Sequence, residues 1–280
     1  IYGAAGTGKT TSSLSILKNP KYKVIHFALE STTLPAAKQC FRVHNIESLE
    51  EGQYTLVVPE PSNPKDEASL KSNTDGTFFD NIVTQLFKTE GTDVATGKKV
   101  KLGAWKSYDS NTVLLFDGFS ALVETVTNRA NADAINKKVN DNTMAIYGIG
   151  QKYITGLLTT LIKSTKAHIV VMGHQKLADE KAIAKYGNIK PINPDVYTRS
   201  LVDVVCGMFT YVMYAKRDSL SGKFYLSVAE PQCYVRDSLD RSRFADIAKR
   251  RNATLKPHEK KLDLSLLPVD FTDEVYTFLK

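Results

Sequence analysis

"IYGAAGTGKTTSSLSILKNP", residues 1–20, places three glycines and a lysine directly ahead of a segment with helical character. Gly3, Gly6, Gly8, Lys9 and Thr10 satisfy G-x-x-x-x-G-K-[ST], the pattern of a phosphate-binding loop. A loop that wraps a polyphosphate must turn its backbone N–H groups inward, and such conformations need positive φ or close backbone approach, which glycine adopts cheaply. Gly3, Ala4, Ala5, Gly6, Thr7, Gly8, Lys9, Thr10 and Thr11 are therefore the expected nucleotide-binding set. In it, Lys9 would reach the β- and γ-phosphates and Thr10 would offer its hydroxyl to Mg²⁺. The helix is expected over Lys9 to Lys18, stopped by Asn19-Pro20. "IYG" reads as the end of a strand, so most of the strand feeding the loop is expected upstream of Ile1.

The composition fits this reading. The 280 residues are 42% hydrophobic and 24% charged, suited to one elaborated α/β domain over residues 1–280. No apolar run approaches the roughly 20 residues of a membrane span and no signal peptide is visible, so a cytoplasmic protein without a membrane partner is expected. Cys40, Cys206 and Cys233 form no C-x-x-C pair, which points to a reducing compartment and away from a zinc site. The formal net charge of +7 is compatible with a polyanionic partner.

Along the chain, "KYKVIHFALEST", "YTLVVPEP", "TVLLFDGFSALVE" and "AHIVVMGHQK" read as buried strands separated by helical or polar segments. Ile154, Leu157, Leu158, Leu161 and Ile162 mark a helix with one buried face. Residues 62–111 are more polar and read as a surface insertion carrying one helix, "TFFDNIVTQLF". Residues 179–200 read as a loop or lid, and a strand-rich tail follows, with residues 236–280 as a C-terminal extension. The expected fold is thus α/β: a mostly parallel sheet flanked by helices, with an antiparallel C-terminal extension. Ligands collect at the carboxyl ends of such strands, so Glu30, Asp117 and His174, each ending an apolar strand, should converge on the rim that holds Lys9.

Asp117 resembles a Walker-B aspartate, which holds Mg²⁺ through water. Many additional-strand ATPases place a glutamate base directly after it; here that residue is Gly118. The RecA-like branch places its base at the end of the strand following the loop helix, where this chain has Glu30, with Glu124 in reserve. The order "GAAGTGKTT", "ALE", "VLLFDGFSAL", "YGIGQKYITGLLTTLI", "HIVVMGHQK" resembles the RecA-like P-loop ATPases of tailed phages, over residues 1–35 and 112–235.

The resemblance implies an Mg²⁺-dependent ATPase acting on single-stranded DNA in recombination or replication, in the host cytoplasm. It also implies a homo-oligomeric ring or filament and a possible single-stranded-DNA-binding partner. Under it, Lys9, Glu30, Asp117 and His174 form the catalytic set, His174 with Gln175 being the γ-phosphate sensor, and Lys216 and Arg217 are trans-acting fingers. A turn-forming His174 and solvated strand-end cations are the plainer readings of those positions. A ring helicase, a DNA-packaging motor and a nucleotide-organised assembly protein are the rival functions. Finally, Lys98, Lys99, Lys101 and Lys106 surround Trp105, the sole tryptophan. They read either as a single-stranded-DNA contact, with bases stacked on the ring, or as a solvated hairpin whose tryptophan packs back onto the core.

Overall fold

The computed structural model describes residues 1–29, 37, 39–42, 44–58, 90–136, 143–186, 190–217, 224–227, 232–233, 235–237 and 266–268. Its strands are β1 (Tyr2–Gly3), β2 (Lys23–Ala28), β3 (Tyr54–Val57), β4 (Glu90–Asp93), β5 (Lys99–Lys101), β6 (Thr112–Asp117), β7 (His168–Leu177), β8 (Ile192–Pro194), β9 (Tyr211–Val212), β10 (Tyr214–Arg217), β11 (Phe224–Ser227), β12 (Arg236–Asp237) and β13 (Leu266–Pro268). Its helices are α1 (Lys9–Leu14), which continues as a 3₁₀ turn over Ser15–Lys18, α2 (Phe119–Asn136), α3 (Thr143–Ser164), α4 (Glu180–Tyr186) and α5 (Ser200–Gly207).

The run TVLLFD of β6 is buried at every residue, as a strand covered on both faces must be. Its alternate residues feed two cores. Leu114 and Phe116 join Phe27, Leu122, Val126, Ile154, Leu158, Leu201 and Val205 on one face. Val113 and Leu115 join Leu14, Ile16, Leu17, Val24 and Met172 on the other. The sheet runs β13-β11-β10-β1-β7-β6-β2-β3-β4-β5, with β8 hydrogen-bonded to β7. Pairings from β10 through β1, β7, β6 and β2 to β3 are all parallel. Those of β4, β5, β11 and β13 are antiparallel. The architecture is a mixed, mostly parallel central sheet flanked by helices. Among the described residues no helix is long and apolar enough to cross a membrane.

Within the expected insertion over 62–111, the segment from Glu90 onward forms two strands that join the sheet. β4 and β5 extend the central sheet from β3, and the short turn Trp105–Ser107 returns the chain to β6 with Trp105 in the core. Residues 59–89, including the expected helix "TFFDNIVTQLF", lie outside the described residues, as does most of 236–280. The expected lid contains α4 and β8, and β8 pairs with the last residues of β7, Gln175–Leu177. β7 therefore runs past the end of β6, whose final pair is Asp117 with Met172, and forms a hairpin above the rim.

Candidate functional site

The glycine-rich loop leaves β1, an interior strand of the sheet, and enters α1. Gly3 serves close approach: a Cβ there would lie 2.4 Å from the Ala215 carbonyl oxygen of β10. Gly6 and Gly8 serve conformation, with φ of 71° and 77° in the left-handed region. Left-handed turns of this kind bring successive backbone N–H groups toward a common centre and make anion-binding concavities. The Thr7 hydroxyl donates to the Ala4 carbonyl at 2.8 Å and pins the loop from within. Lys9 Nζ donates to the carbonyls of Gly3 (3.0 Å) and Ala4 (2.8 Å), so its ammonium lies against the entry of the loop.

The next residue joins loop and sheet. Thr10 Oγ1 donates to Asp117 Oδ2 at 2.8 Å, across 107 residues of sequence. Asp117 ends β6 and is buried; its register partner on β2 is Ala28, and the Leu29 N–H donates to the Asp117 carbonyl at 2.8 Å. Directly after it Gly118 has φ of 98°, a conformation that a side chain rarely adopts. A carboxylate base at that position is therefore disfavoured by the backbone itself. Glu30 lies outside the described residues, one position beyond the Leu29 bond.

Thr11, the last of the expected binding set, also has partners behind the loop. Its hydroxyl accepts from Cys40 Sγ at 3.2 Å and its carbonyl is 2.8 Å from His44 Nε2, so it anchors α1 to the segment behind it. Burial raises the Cys40 thiol above its ordinary pKa. None of the three cysteines forms a disulfide, and all are buried.

His174 stands in register with Gly3, and its backbone N–H donates to Ser120 Oγ at 2.8 Å. With Ser120, Glu124, Tyr147, Lys176 and Asp195 it lines a pocket of about 520 Å³ in which no loop residue takes part. The rim thus joins Thr10 to Asp117 by a hydrogen bond, with Lys9 at the entry of the loop, while His174 and Glu124 line a separate depression. Gln175 Oε1 accepts from the Tyr214 hydroxyl at 3.0 Å. Lys216 and Arg217 end β10, two and three residues past the Tyr2–Tyr214 register pair, next to the strand that carries the loop.

Trp105 requires a correction. It is 7% exposed and stacks on Phe27 (centroids 5.9 Å, planes 14° apart) and Phe116 (6.2 Å, 18°). A ring buried to this extent offers no face to a nucleobase, and its packing onto the core is what the structure places there. Lys98, Lys99, Lys101 and Lys106 remain exposed around it, on and beside edge strand β5. Charged edge strands also discourage pairing with other chains.

Sequence reading missed His26 and its partner Tyr54. His26, on β2, is 0% exposed; its Nδ1 is 2.8 Å from the Tyr54 hydroxyl and its Nε2 is 3.5 Å from Asp117 Oδ2. A histidine inside the apolar run "KVIHFA" is the signal that marks it. No protein-family model matches the chain, and no curated protein matches it significantly.

Proposed function

We propose that this chain is a P-loop ATPase of RecA-like architecture that binds ATP with Mg²⁺, hydrolyses it, and acts on single-stranded DNA in phage recombination or replication. The observation that carries the ATPase reading is the 2.8 Å bond from Thr10 to Asp117, which sets a loop hydroxyl against a strand-end carboxylate. Two oxygen donors of this kind fit Mg²⁺, a hard cation usually held by one or two carboxylates plus substrate phosphates rather than by an all-protein cage. Thr10 would ligate the cation and Asp117 would hold it through water. When bound, Mg²⁺ supplies charge neutralisation for the β- and γ-phosphates.

The chain's own groups divide the remaining work. The left-handed turns at Gly6 and Gly8 shape the loop for phosphate oxygens, and Lys9 adds a charge-assisted donor at its entry. β7 separates β1 from β6, which is the additional-strand order that the RecA-like reading requires. That reading seats the general base on β2 rather than after Asp117. The Ala28–Asp117 register pair and the positive φ of Gly118 both favour this arrangement, with Glu30 as the base. Glu30 would take a proton from water as the water oxygen attacks the γ-phosphorus and the bond to the β–γ bridging oxygen breaks, giving ADP and phosphate. Lys216 and Arg217, at the end of β10 beside the loop strand, support a role at a neighbouring subunit's site in a ring or filament. The single-stranded-DNA partner rests on the family resemblance and on the net charge of +7.

The test is release of phosphate from ATP, measured with and without Mg²⁺ and with and without single-stranded DNA. The proposal expects Mg²⁺-dependent turnover stimulated by single-stranded DNA. Turnover accompanied by strand separation would favour a helicase, and binding without turnover would favour an assembly role.

A further inference from the structure

The interior of the sheet behind the loop contains a polar chain whose inner two members, Tyr54 and His26, the ATPase reading does not use. It runs from Tyr54 on β3 through His26 on β2 to Asp117 on β6, and from there to Thr10 on α1. Three of its four residues are buried, Tyr54 and His26 completely so. Polar side chains in such a place need partners, and one atom has none: His26 Nε2 is a buried nitrogen without a hydrogen bond. It faces Asp117 Oδ2 across 3.5 Å, at the limit of bonding distance.

The direction of the chain follows from its ends. Tyr54 is a phenol held in its neutral form, since burial, with Cys40 and Asp117 nearby, pushes its pKa well up. Its single proton has the imidazole Nδ1 within reach at 2.8 Å, so Nδ1 accepts. In a neutral imidazole the proton then sits on Nε2 and points toward the carboxylate. The other tautomer would set a nitrogen lone pair against a carboxylate oxygen and leave the buried phenol proton without an acceptor.

We propose that His26 is a positioning residue for the Mg²⁺ site: its Nε2–H holds the Asp117 carboxylate in the orientation that receives the Thr10 hydroxyl. This rests on the ATPase reading and deepens it. When Thr10 gives a lone pair to a cation, its proton must still find Asp117 Oδ2. The carboxylate must therefore keep its orientation while two positive charges arrive beside it. Thr10 alone fixes it from the loop side; His26 fixes it from inside the sheet, with Tyr54 holding the tautomer. Partners of this kind, one shell behind the metal ligands, typically change metal affinity about 10–100-fold.

The experiment titrates Mg²⁺ against binding of a fluorescent ATP analogue to wild type, His26→Leu, His26→Gln and Tyr54→Phe, with analogue binding in EDTA and thermal unfolding measured in parallel. Glutamine can place an amide N–H near the Nε2 position, whereas leucine cannot. His26→Leu should need at least about tenfold more Mg²⁺ for half-maximal binding, with binding in EDTA unchanged. His26→Gln should stay within about threefold of wild type, and Tyr54→Phe should shift in the same direction as His26→Leu by a smaller factor. Identical Mg²⁺ dependence in folded His26→Leu, or in Tyr54→Phe should the leucine variant not fold, overturns the positioning role. Equal loss in EDTA and in Mg²⁺ also overturns it, because that is the mark of a merely structural histidine. Absence of Mg²⁺-dependent binding in wild type would instead overturn the ATPase reading beneath it.

Discussion

Replacing Thr10 by valine removes one hydroxyl and keeps the shape of the side chain, so it isolates the contact on which the proposed site depends. That contact is a 2.8 Å hydrogen bond to Asp117, a carboxylate 9% exposed. Hydrogen bonds to charged groups contribute about 1.5–3 kcal/mol, and a buried acceptor that loses its donor sits at the upper part of that range. His26 Nε2, at 3.5 Å, offers only partial compensation. Thr10→Val should therefore destabilise the nucleotide-free protein by about 1.5–3 kcal/mol, roughly a 10- to 150-fold change in the folding equilibrium. Asp117→Asn tests the other end of the bond. Once the hydroxyl is gone, the asparagine substitution should cost less than it does in wild type, and the coupling energy of the double-mutant cycle should fall within about 0.5–3 kcal/mol. Urea unfolding of the four proteins measures the cycle, and Mg²⁺-dependent ATP binding by the same proteins links it to the site. Zero coupling, with Thr10→Val binding Mg²⁺-ATP as tightly as wild type, would refute the reasoning that makes these two oxygens one site.

Glu30→Gln should keep ATP affinity and lower hydrolysis by about 10²–10⁴-fold, whereas Glu124→Gln should leave hydrolysis near wild type; the opposite pattern in a phosphate-release assay would move the base to α2. A Lys216→Ala/Arg217→Ala protein should be inactive alone and should regain activity when mixed with Lys9→Ala protein, at interfaces where an intact loop meets intact cations; no recovery despite demonstrated co-assembly would confine those cations to their own subunit. Single-stranded DNA should leave Trp105 emission unchanged, because the ring is buried in the core against Phe27 and Phe116. Replacing Lys98 and Lys99 by alanine should flatten the salt dependence of DNA binding by a log–log slope of about 1.4, and an unchanged slope would leave these lysines only the protection of an edge strand.

The residues legible in the sequence are those whose signal is local. Lys9 and Thr10 follow from the spacing of glycines within one loop. β2 and β6 follow from apolar runs that need burial on both faces, and Asp117 stands out as the carboxylate that ends such a run. What was hidden depends on neighbours distant in the chain. β1 has only two described residues, and its place between β7 and β10 is set by pairing with strands about 170 and 210 residues later. β4 and β5 carry no strand signal in the polar stretch 62–111 because an edge strand with an open face loses the apolar run; Glu90, Lys99 and Lys101 are exposed. Asp93 hides in the same way. In sequence it is one more polar turn residue, yet it is buried and accepts from the backbone N–H groups of Gly52 and Ala95 and from the Thr96 hydroxyl. Trp105 beside four lysines imitates a nucleic-acid contact because nothing local shows that Phe27 and Phe116 lie within stacking distance. His26 is obscured for the same reason: its partners Tyr54 and Asp117 stand on the strands to either side of it, an order that no local pattern predicts.

The central claim is that the loop at Gly3–Thr10 binds a nucleoside triphosphate together with Mg²⁺. Isothermal titration of ATP into wild type and into Lys9→Ala, each in Mg²⁺ and in EDTA, tests it most directly. The account predicts saturable binding by wild type that is tighter in Mg²⁺ than in EDTA, and loss of that binding in a Lys9→Ala protein with an unchanged fold, since the phosphates lose their one charge-assisted donor in the loop. Equal binding by the two proteins, or binding indifferent to Mg²⁺, would contradict it.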